Sequence, residues 1–460
     1  MTNSESPPST GAAHLPRKVR APGGVFFGLL GDPLAQLERF AQMPDDVVMF
    51  REWGERFYFI KSPPLIHEVL VTKGRHFAKG RSLERLRKII GNGLLTSSGD
   101  FYMRQRRLMQ PLFHAQRVRD FSRTMVDHAI TLMEDWRNYE SRDLSHDMMR
   151  LTLGIVSQTL LGSDVDAHAA KVRETMDTFL RTFPVLMLPF AEILEHLPIP
   201  AIKRLRRVRA ELDDIVYQLI DTRRRQPKDS GDLLSMLLAA QDPEGQPGEG
   251  MTDQQVHDEV MIMFLAGHET TATAFSWIWF LLAQHPAVEA EFHAELDRVL
   301  ADRRLPTAED FAKLTYTRQV VNEAMRLYPP VWTIARRAQS ACEIGGYHVP
   351  ERTIALMSQW VVHRDAKLFD EPLQFRPERW TPQFEASLPK ISYFPFGGGL
   401  RRCIGEGFAW MEIVLVLATI GHRWRFRVDN PAMVAPRPLF TLRLKNGLPV
   451  TLERRGAPPP

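Results

Sequence analysis

The sequence predicts a mainly α-helical protein with small β-sheets at its edges. Three observations carry this: helical apolar periodicity over residues 81–240, a capped apolar run at 260–283, and short alternating runs gathered toward the two ends. The 460 residues are 44% hydrophobic and 25% charged, a composition that excludes a disordered or collagen-like chain. Lys and Arg (59) barely exceed Asp and Glu (55), so no nucleic-acid partner is expected. Cys342 and Cys403 are the only thiols, too few for a secreted disulfide framework, which points to a reducing, cytoplasmic compartment.

Residues 1–24 are polar and Pro-rich without the apolar core of a signal peptide, and read as a flexible tail before a single domain at 25–460. Runs 47–52 and 56–60 flank Trp53-Gly54 and predict an antiparallel hairpin. Stretches such as SRTMVDHAITLMEDW and VRAELDDIVYQLIDTRRR then build a helical body. The linker DPEGQPGEG (242–250) precedes Thr252 and Gln255, whose spacing makes a capping box for the long helix through 260–283. That run is long enough to span a bilayer, but it carries His268, Glu269, Thr270 and Thr271 at its centre and follows Asp258-Glu259. A buried core helix with a polar kink is expected, and no membrane span. A further helix at 317–327 stops at Tyr328-Pro329-Pro330. Strands follow at 347–349 and 353–357, and 439–444 is expected to pair through Asn446-Gly447 with 449–452 as a closing hairpin. The β-rich lobe is thus placed at 45–75 and 345–360, with the hairpin at 439–452.

The stretch Phe396-Gly-Gly-Gly-Leu-Arg-Arg-Cys403-Ile-Gly405 runs into an apolar helix at about 406–421. A cysteine before an apolar helix is usually buried filling, but here three glycines permit a close backbone approach and a helix N-terminus favours a thiolate. A thiolate is a metal ligand. Zinc wants several Cys or His at short spacing, which are missing, whereas haem iron needs one proximal ligand. A phosphate loop is a poor alternative because the G-x-G-x-x-G and G-x-x-x-x-G-K-[ST] spacings are absent. Arg401 suits a haem propionate, since guanidinium and carboxylate pair bidentately.

These residues resemble the cytochrome P-450 family: Phe396, Gly399, Arg401, Cys403 and Gly405 match every fixed position of F-x-x-G-x-R-x-C-x-G. The resemblance implies a triangular helical body around haem b, with Cys403 as the iron's thiolate ligand and O2 as co-substrate. Ala266-Gly267-His268-Glu269-Thr270-Thr271 resembles the family's [AG]-G-x-[DE]-T-[TS] element on the helix crossing the haem. There Ala266 lies near the cofactor, Thr270 is the oxygen-activating hydroxyl and Glu269 the acid that feeds it protons. Glycine and back-bonding threonines would loosen the helix at this point. Glu323, Arg326 and Arg379 match the family's E-x-x-R helix and P-E-R segment, a structural network. Tyr102 and Arg106 correspond to W-x-x-x-R, with Tyr in place of Trp, and with Arg336 (Arg337 as rival) are expected on the propionates.

Ile89, Ile90, Leu94, Leu95, Phe179, Phe183, Leu186, Met263, Ala266, Val331, Ile334 and Phe440 fall where the family walls its pocket, which suits an apolar substrate: a lipid, terpenoid, steroid or aromatic compound. No flavin or ferredoxin module follows the cysteine helix. Electrons from NAD(P)H are therefore expected through a separate ferredoxin or flavodoxin and its reductase, docking near Arg104, Lys390 and Arg402 on a monomer. The expected activity is a monooxygenase that hydroxylates or epoxidises; rival readings are a peroxide-driven peroxygenase or an isomerase on this scaffold, or, outside catalysis, a haem sensor or a nucleic-acid-binding protein.

Overall fold

The computed structural model describes residues 14–19, 28, 31–52, 54–162, 174, 178, 200–225, 231–245 and 248–456. Contacts divide the chain into a β-rich unit, Met1–Gly80 with Thr333–Val362 and Pro389–Arg402, and a helical unit, Arg81–Trp332 with His363–Leu388 and Cys403–Pro460.

In the β-rich unit, apolar alternation produces the expected hairpin. Val47–Glu52 pairs antiparallel with Glu55–Ile60, and Phe50 stacks on its cross-strand partner Phe57 with ring centroids 4.9 Å apart. Gly54 turns the hairpin at φ +76°, a conformation that favours glycine. The strands extend into a six-stranded sheet in the order Arg17–Lys18, Val47–Glu52, Glu55–Ile60, Ile354–Met357, Ile334–Ala338, Phe77–Lys79. Phe40 of the helix Pro33–Ala41 seals one face against Phe50 and Phe59. Part of the predicted loose tail is therefore strand: Arg17–Lys18 pairs parallel with Val48–Met49, and Val19 N–H donates to the Met49 carbonyl at 2.8 Å. Both residues are exposed, so the strand is held by backbone hydrogen bonds and leaves no apolar pattern to read.

In the helical unit the long helix spans Asp253–Gln284 and opens with the predicted capping box, both halves of which form between Thr252 and Gln255. Helix Leu144–Leu161 packs along it, so closely at Gly267 that a Cβ there would lie 3.0 Å from Val156 Cγ2. The helix runs unbroken through its polar centre, where the Thr270 and Ser276 hydroxyls donate to carbonyls four residues earlier. The cysteine helix runs Glu406–Gly421 as predicted, and the E-x-x-R helix runs Thr315–Leu327. Among the described residues, no helix is long and apolar enough to cross a membrane.

The closing hairpin is a correction. Leu442–Leu444 pairs with Pro436–Pro438, whereas Pro449–Arg454 lies between Trp424–Val428 and Ser141–Asp143 in a three-stranded sheet. Strand Trp424–Val428 alternates buried and exposed residues and puts Phe426 against Trp136 and Trp279, a burial that a local hairpin would forgo. Asn446-Gly447 then serves as a corner between sheets: at Gly447 a Cβ would lie 2.4 Å from Asp143 Oδ2.

Candidate functional site

Cys403 is exposed, two residues before Gly405 caps a helix that is buried from Met411 to Gly421. The thiol thus sits at the positive end of an apolar helix, which stabilises a thiolate. Cys342 is the contrast: half-buried in the strand Cys342–Ile344, its thiol is pushed up by burial, and it has no evident role. In the loop before Cys403, Gly398 and Gly399 lie close against the Leu70 segment. Gly399 has φ +65°, and a Cβ there would lie 1.8 Å from the Leu70 carbonyl oxygen. Phe396 and Arg401 are half-buried in the same β-rich unit.

On the long helix, Ala266 is exposed and Gly267 and Thr270 are half-buried, although Leu265, His268, Glu269 and Thr271 beside them are buried. These residues are the accessible positions in an otherwise buried stretch of the helix. The Thr270 hydroxyl donates to the Ala266 carbonyl at 2.6 Å. Glu269 faces elsewhere. Its carboxylate accepts from Arg443 through Nε at 2.5 Å and through Nη2, and from the Thr441 hydroxyl at 2.7 Å. Among the described residues no hydrogen bond joins Glu269 to Thr270. Adjacent helical residues point about 100° apart, and Glu269 takes the partner on its own side.

The expected pocket residues separate into groups. Ile90, Leu95 and Phe440 pack with Leu86, Ile262 and Leu265 in one apolar cluster, and Met263 is buried on the long helix. The Leu94 N–H donates to both carboxylate oxygens of Glu259 at 3.0 Å, which pins the 91–95 segment to the long helix. Ile89 lies on the helix Arg81–Ile90, Val331 is half-buried in the helical unit, and Ile334 begins a strand of the β-rich unit. Phe179, Phe183 and Leu186 lie outside the described residues.

Tyr102 and Arg106 come together, with the guanidinium donating to the phenol oxygen at 3.1 Å; Tyr102 is buried. Arg336 is buried and Arg337 half-buried on opposite faces of one strand of the β-rich unit. Arg104, expected to help dock a redox partner, instead binds Asp242 and Glu249 at 3.2 Å each and the Gly250 carbonyl at 2.9 Å. The acids of the 242–250 linker neutralise it.

Glu323 and Arg326 are both fully buried. Arg326 gives two hydrogen bonds to Glu323, at 2.8 and 2.9 Å, and its other donors reach the carbonyls of His363, Pro372 and Gln374. Arg379 Nε and the Arg376 N–H reach Glu323 at 3.0 Å, and the Trp380 indole at 2.8 Å. Trp380 was missed by sequence reasoning, although it stands where the family's P-E-R-F has Phe. Glu412 was missed too. Burial pushes its carboxyl well above the usual range, against a hydrogen bond with Thr271 of the long helix that opposes the rise. It is the one acid inside the apolar run FAWMEIVLVLA, a signal that was available.

A family profile described as Cytochrome P450 matches residues 23–448. The chain belongs to the cytochrome P450 family. It is 37% identical to cyclooctatin synthase of Streptomyces melanosporofaciens over 93% of this chain and 94% of that one. It is 36% identical to cyclooctat-9-en-7-ol 5-monooxygenase from the same organism (88% and 89% covered), and 34% identical to pentalenene oxygenase of Streptomyces avermitilis (89% and 90%). The solved haem domain of cytochrome P450DA superposes with a TM-score of 0.85 at 25% identity, covering 96% of this chain and 98% of that one. This P450 is accordingly a haem-thiolate monooxygenase acting on an apolar small molecule with O2. Its residues fit the group: an exposed thiol at a helix N-terminus, and a distal-type helix whose accessible face carries the small Ala266 and one hydroxyl, Thr270.

Proposed function

We propose that this P450 oxidises a cyclic terpenoid, taking electrons from NAD(P)H through a separate ferredoxin or flavodoxin and its reductase. The relatives whose names specify terpenoid oxidation support the substrate class. The observation that carries the reading is the accessible Ala266–Thr270 face in the otherwise buried stretch 256–279, on the same helix as buried Met263. Such a face admits a hydrocarbon and excludes a charged one. Bound haem supplies the activation of O2. Around it this chain's residues divide the work. Cys403 holds the iron as thiolate. Arg106, braced on Tyr102, pairs a propionate, and the resemblance assigns Arg336 and Arg401 the same kind of partner. The Thr270 hydroxyl, released from the Ala266 carbonyl by a χ1 rotation, can donate a hydrogen bond on the open face, while Glu269, whose oxygens accept from Arg443 and Thr441, has to leave Arg443 and take up a proton from water before it can pass one on. Lys390 and Arg402 serve as docking cations on a cytoplasmic, monomeric enzyme.

The test has two stages. The absorption spectrum of reduced, carbon-monoxide-treated protein should carry the thiolate Soret band, and Cys403→Ser should lose it; an unchanged band in that variant overturns the ligand assignment. Next, a library of cyclic sesqui- and diterpenes, fatty acids and aromatics is titrated against the ferric Soret band. Terpenes should shift it at micromolar levels and be hydroxylated with ferredoxin, reductase and NAD(P)H. Tighter binding of fatty acids, or turnover with hydrogen peroxide alone that survives Thr270→Ala, would defeat the proposal.

A further inference from the structure

Along the long helix lies a cavity of about 380 Å³ within the helical unit, on the side of His268, Ala272, Thr273 and Ser276 rather than of Ala266 and Thr270. Its wall is cationic: Arg150, Arg437, Arg443 and Lys445 line it, joined by His146 and His268. The only carboxylate in the wall is Asp143, which already accepts from the Ser145 N–H and hydroxyl and from the Leu448 N–H. Arg437 and Lys445 make no ion pair among the described residues. Arg150 has only long ones, 3.6 Å to Asp135 and 4.0 Å to Asp147. Arg443 commits Nε and Nη2 to Glu269, and its Nη1 has no partner among the described residues. Even with Glu269 counted, four cations face two carboxylates. Cations in excess of carboxylates around a concave site raise the local potential and favour a multivalent anion.

We propose that this cavity binds a small phosphate-type oxyanion, held by Arg437, Lys445, Arg150 and the free edge of Arg443, and that the occupant competes with Glu269 for Arg443. Reciprocity then requires that loosening the Glu269–Arg443 pair tighten the anion.

The haem-loaded, full-length protein is titrated calorimetrically with inorganic diphosphate at constant ionic strength, with orthophosphate, a phosphate monoester and citrate as parallel probes. Diphosphate should bind saturably, one per chain, with affinity at least tenfold lower in R437Q/K445Q and unchanged in R117Q, whose guanidinium lies outside the cavity wall. E269Q should bind diphosphate several-fold more tightly. Non-saturable heat, or equal affinity in R437Q/K445Q and R117Q, overturns the site; equal or weaker binding by E269Q overturns the competition. Citrate binding as tightly as diphosphate overturns the phosphate class. Because the readout is heat in the resting enzyme, none of these outcomes depends on finding the substrate.

Discussion

Two buried acid–arginine pairs in the helical unit share their chemistry and differ in everything around it. Around Glu323 and Arg326 every guanidinium donor has a carboxylate or carbonyl, and the acid has three further donors from Arg376, Arg379 and Trp380. Neither side chain is accessible. Glu269 is equally buried, but its arginine is not: the Arg443 side chain keeps 29% of its surface and borders a cavity. A saturated pair can only hold, because any movement strands a charge in a low-dielectric interior. An arginine with one edge in a cavity can exchange partners at modest cost, since water or an anion can replace the carboxylate it leaves. The first pair belongs to the scaffold and the second can take part in chemistry.

Arg326→Ala is the most drastic way to break this contrast. It leaves Glu323 to Arg379 and Trp380 and deprives three carbonyls of their donor, which should cost roughly 3–5 kcal/mol, a large share of a domain's whole margin. Little soluble, haem-loaded protein should be recovered, as read from carbon-monoxide difference absorbance per milligram. Arg443→Gln comes next. Glu269 keeps Thr441 and gains access to cavity water, so a loss of roughly 1–3 kcal/mol is expected by denaturant unfolding, with normal haem loading and product per NAD(P)H consumed at or above the wild-type level, because Glu269 no longer has to leave Arg443. Equal damage from both variants would erase the distinction.

The same contrast marks what could be read in the sequence. The capping box at Thr252, the cysteine helix and the hairpin at Gly54 rest on signals within a few residues, and they fold as read. Glu323 and Arg326 are three apart, so their pairing is local as well. Arg443 lies 174 residues from Glu269 and nothing in either neighbourhood announces the other. Strand Pro449–Arg454 was misassigned for the same reason: the nearest turn signal favoured a local hairpin, and burial of the alternating face of Trp424–Val428 decided otherwise. Strand Arg17–Lys18 is held mainly through its backbone, with one long Arg17–Asp45 ion pair, and has no apolar pattern to read. Glu412 was legible, as a single acid in an apolar helix, and passed unread.

Glu412 sharpens the comparison as a buried acid with no arginine at all. Burial raises its folded pKa, so above the ordinary glutamate range the native state keeps a proton that the unfolded chain releases. The stabilising contribution is complete below the unfolded pKa, about 4.3, and is lost as pH rises toward the folded value, by up to about 1.4 kcal/mol per pH unit. Glu412→Gln removes the titration. Its unfolding free energy relative to wild type should therefore climb between pH 5 and pH 8, measured by urea denaturation at each pH. A parallel pH dependence in the two proteins would mean that Glu412 is ionised and paired in the native state.

The smallest expected effect concerns the half-open case, Arg104 with Asp242. The acid is buried at 3% side-chain exposure and the arginine at 20%, and Arg107 shares the same carboxylate at 3.3 Å. Arg104→Gln leaves Asp242 a partner and should cost only about 1 kcal/mol in urea unfolding. Its charge is already neutralised by Asp242 and Glu249, so the rate of reduction by ferredoxin at low salt should not change. Arg402, exposed beside Cys403 in sequence, should behave otherwise: Arg402→Gln should slow that rate at low salt and converge on wild type as salt screens the attraction. If Arg104→Gln slows reduction as much as Arg402→Gln does, the pair with Asp242 opens when the partner docks, and Arg104 belongs with the exchangeable arginines rather than the fixed ones.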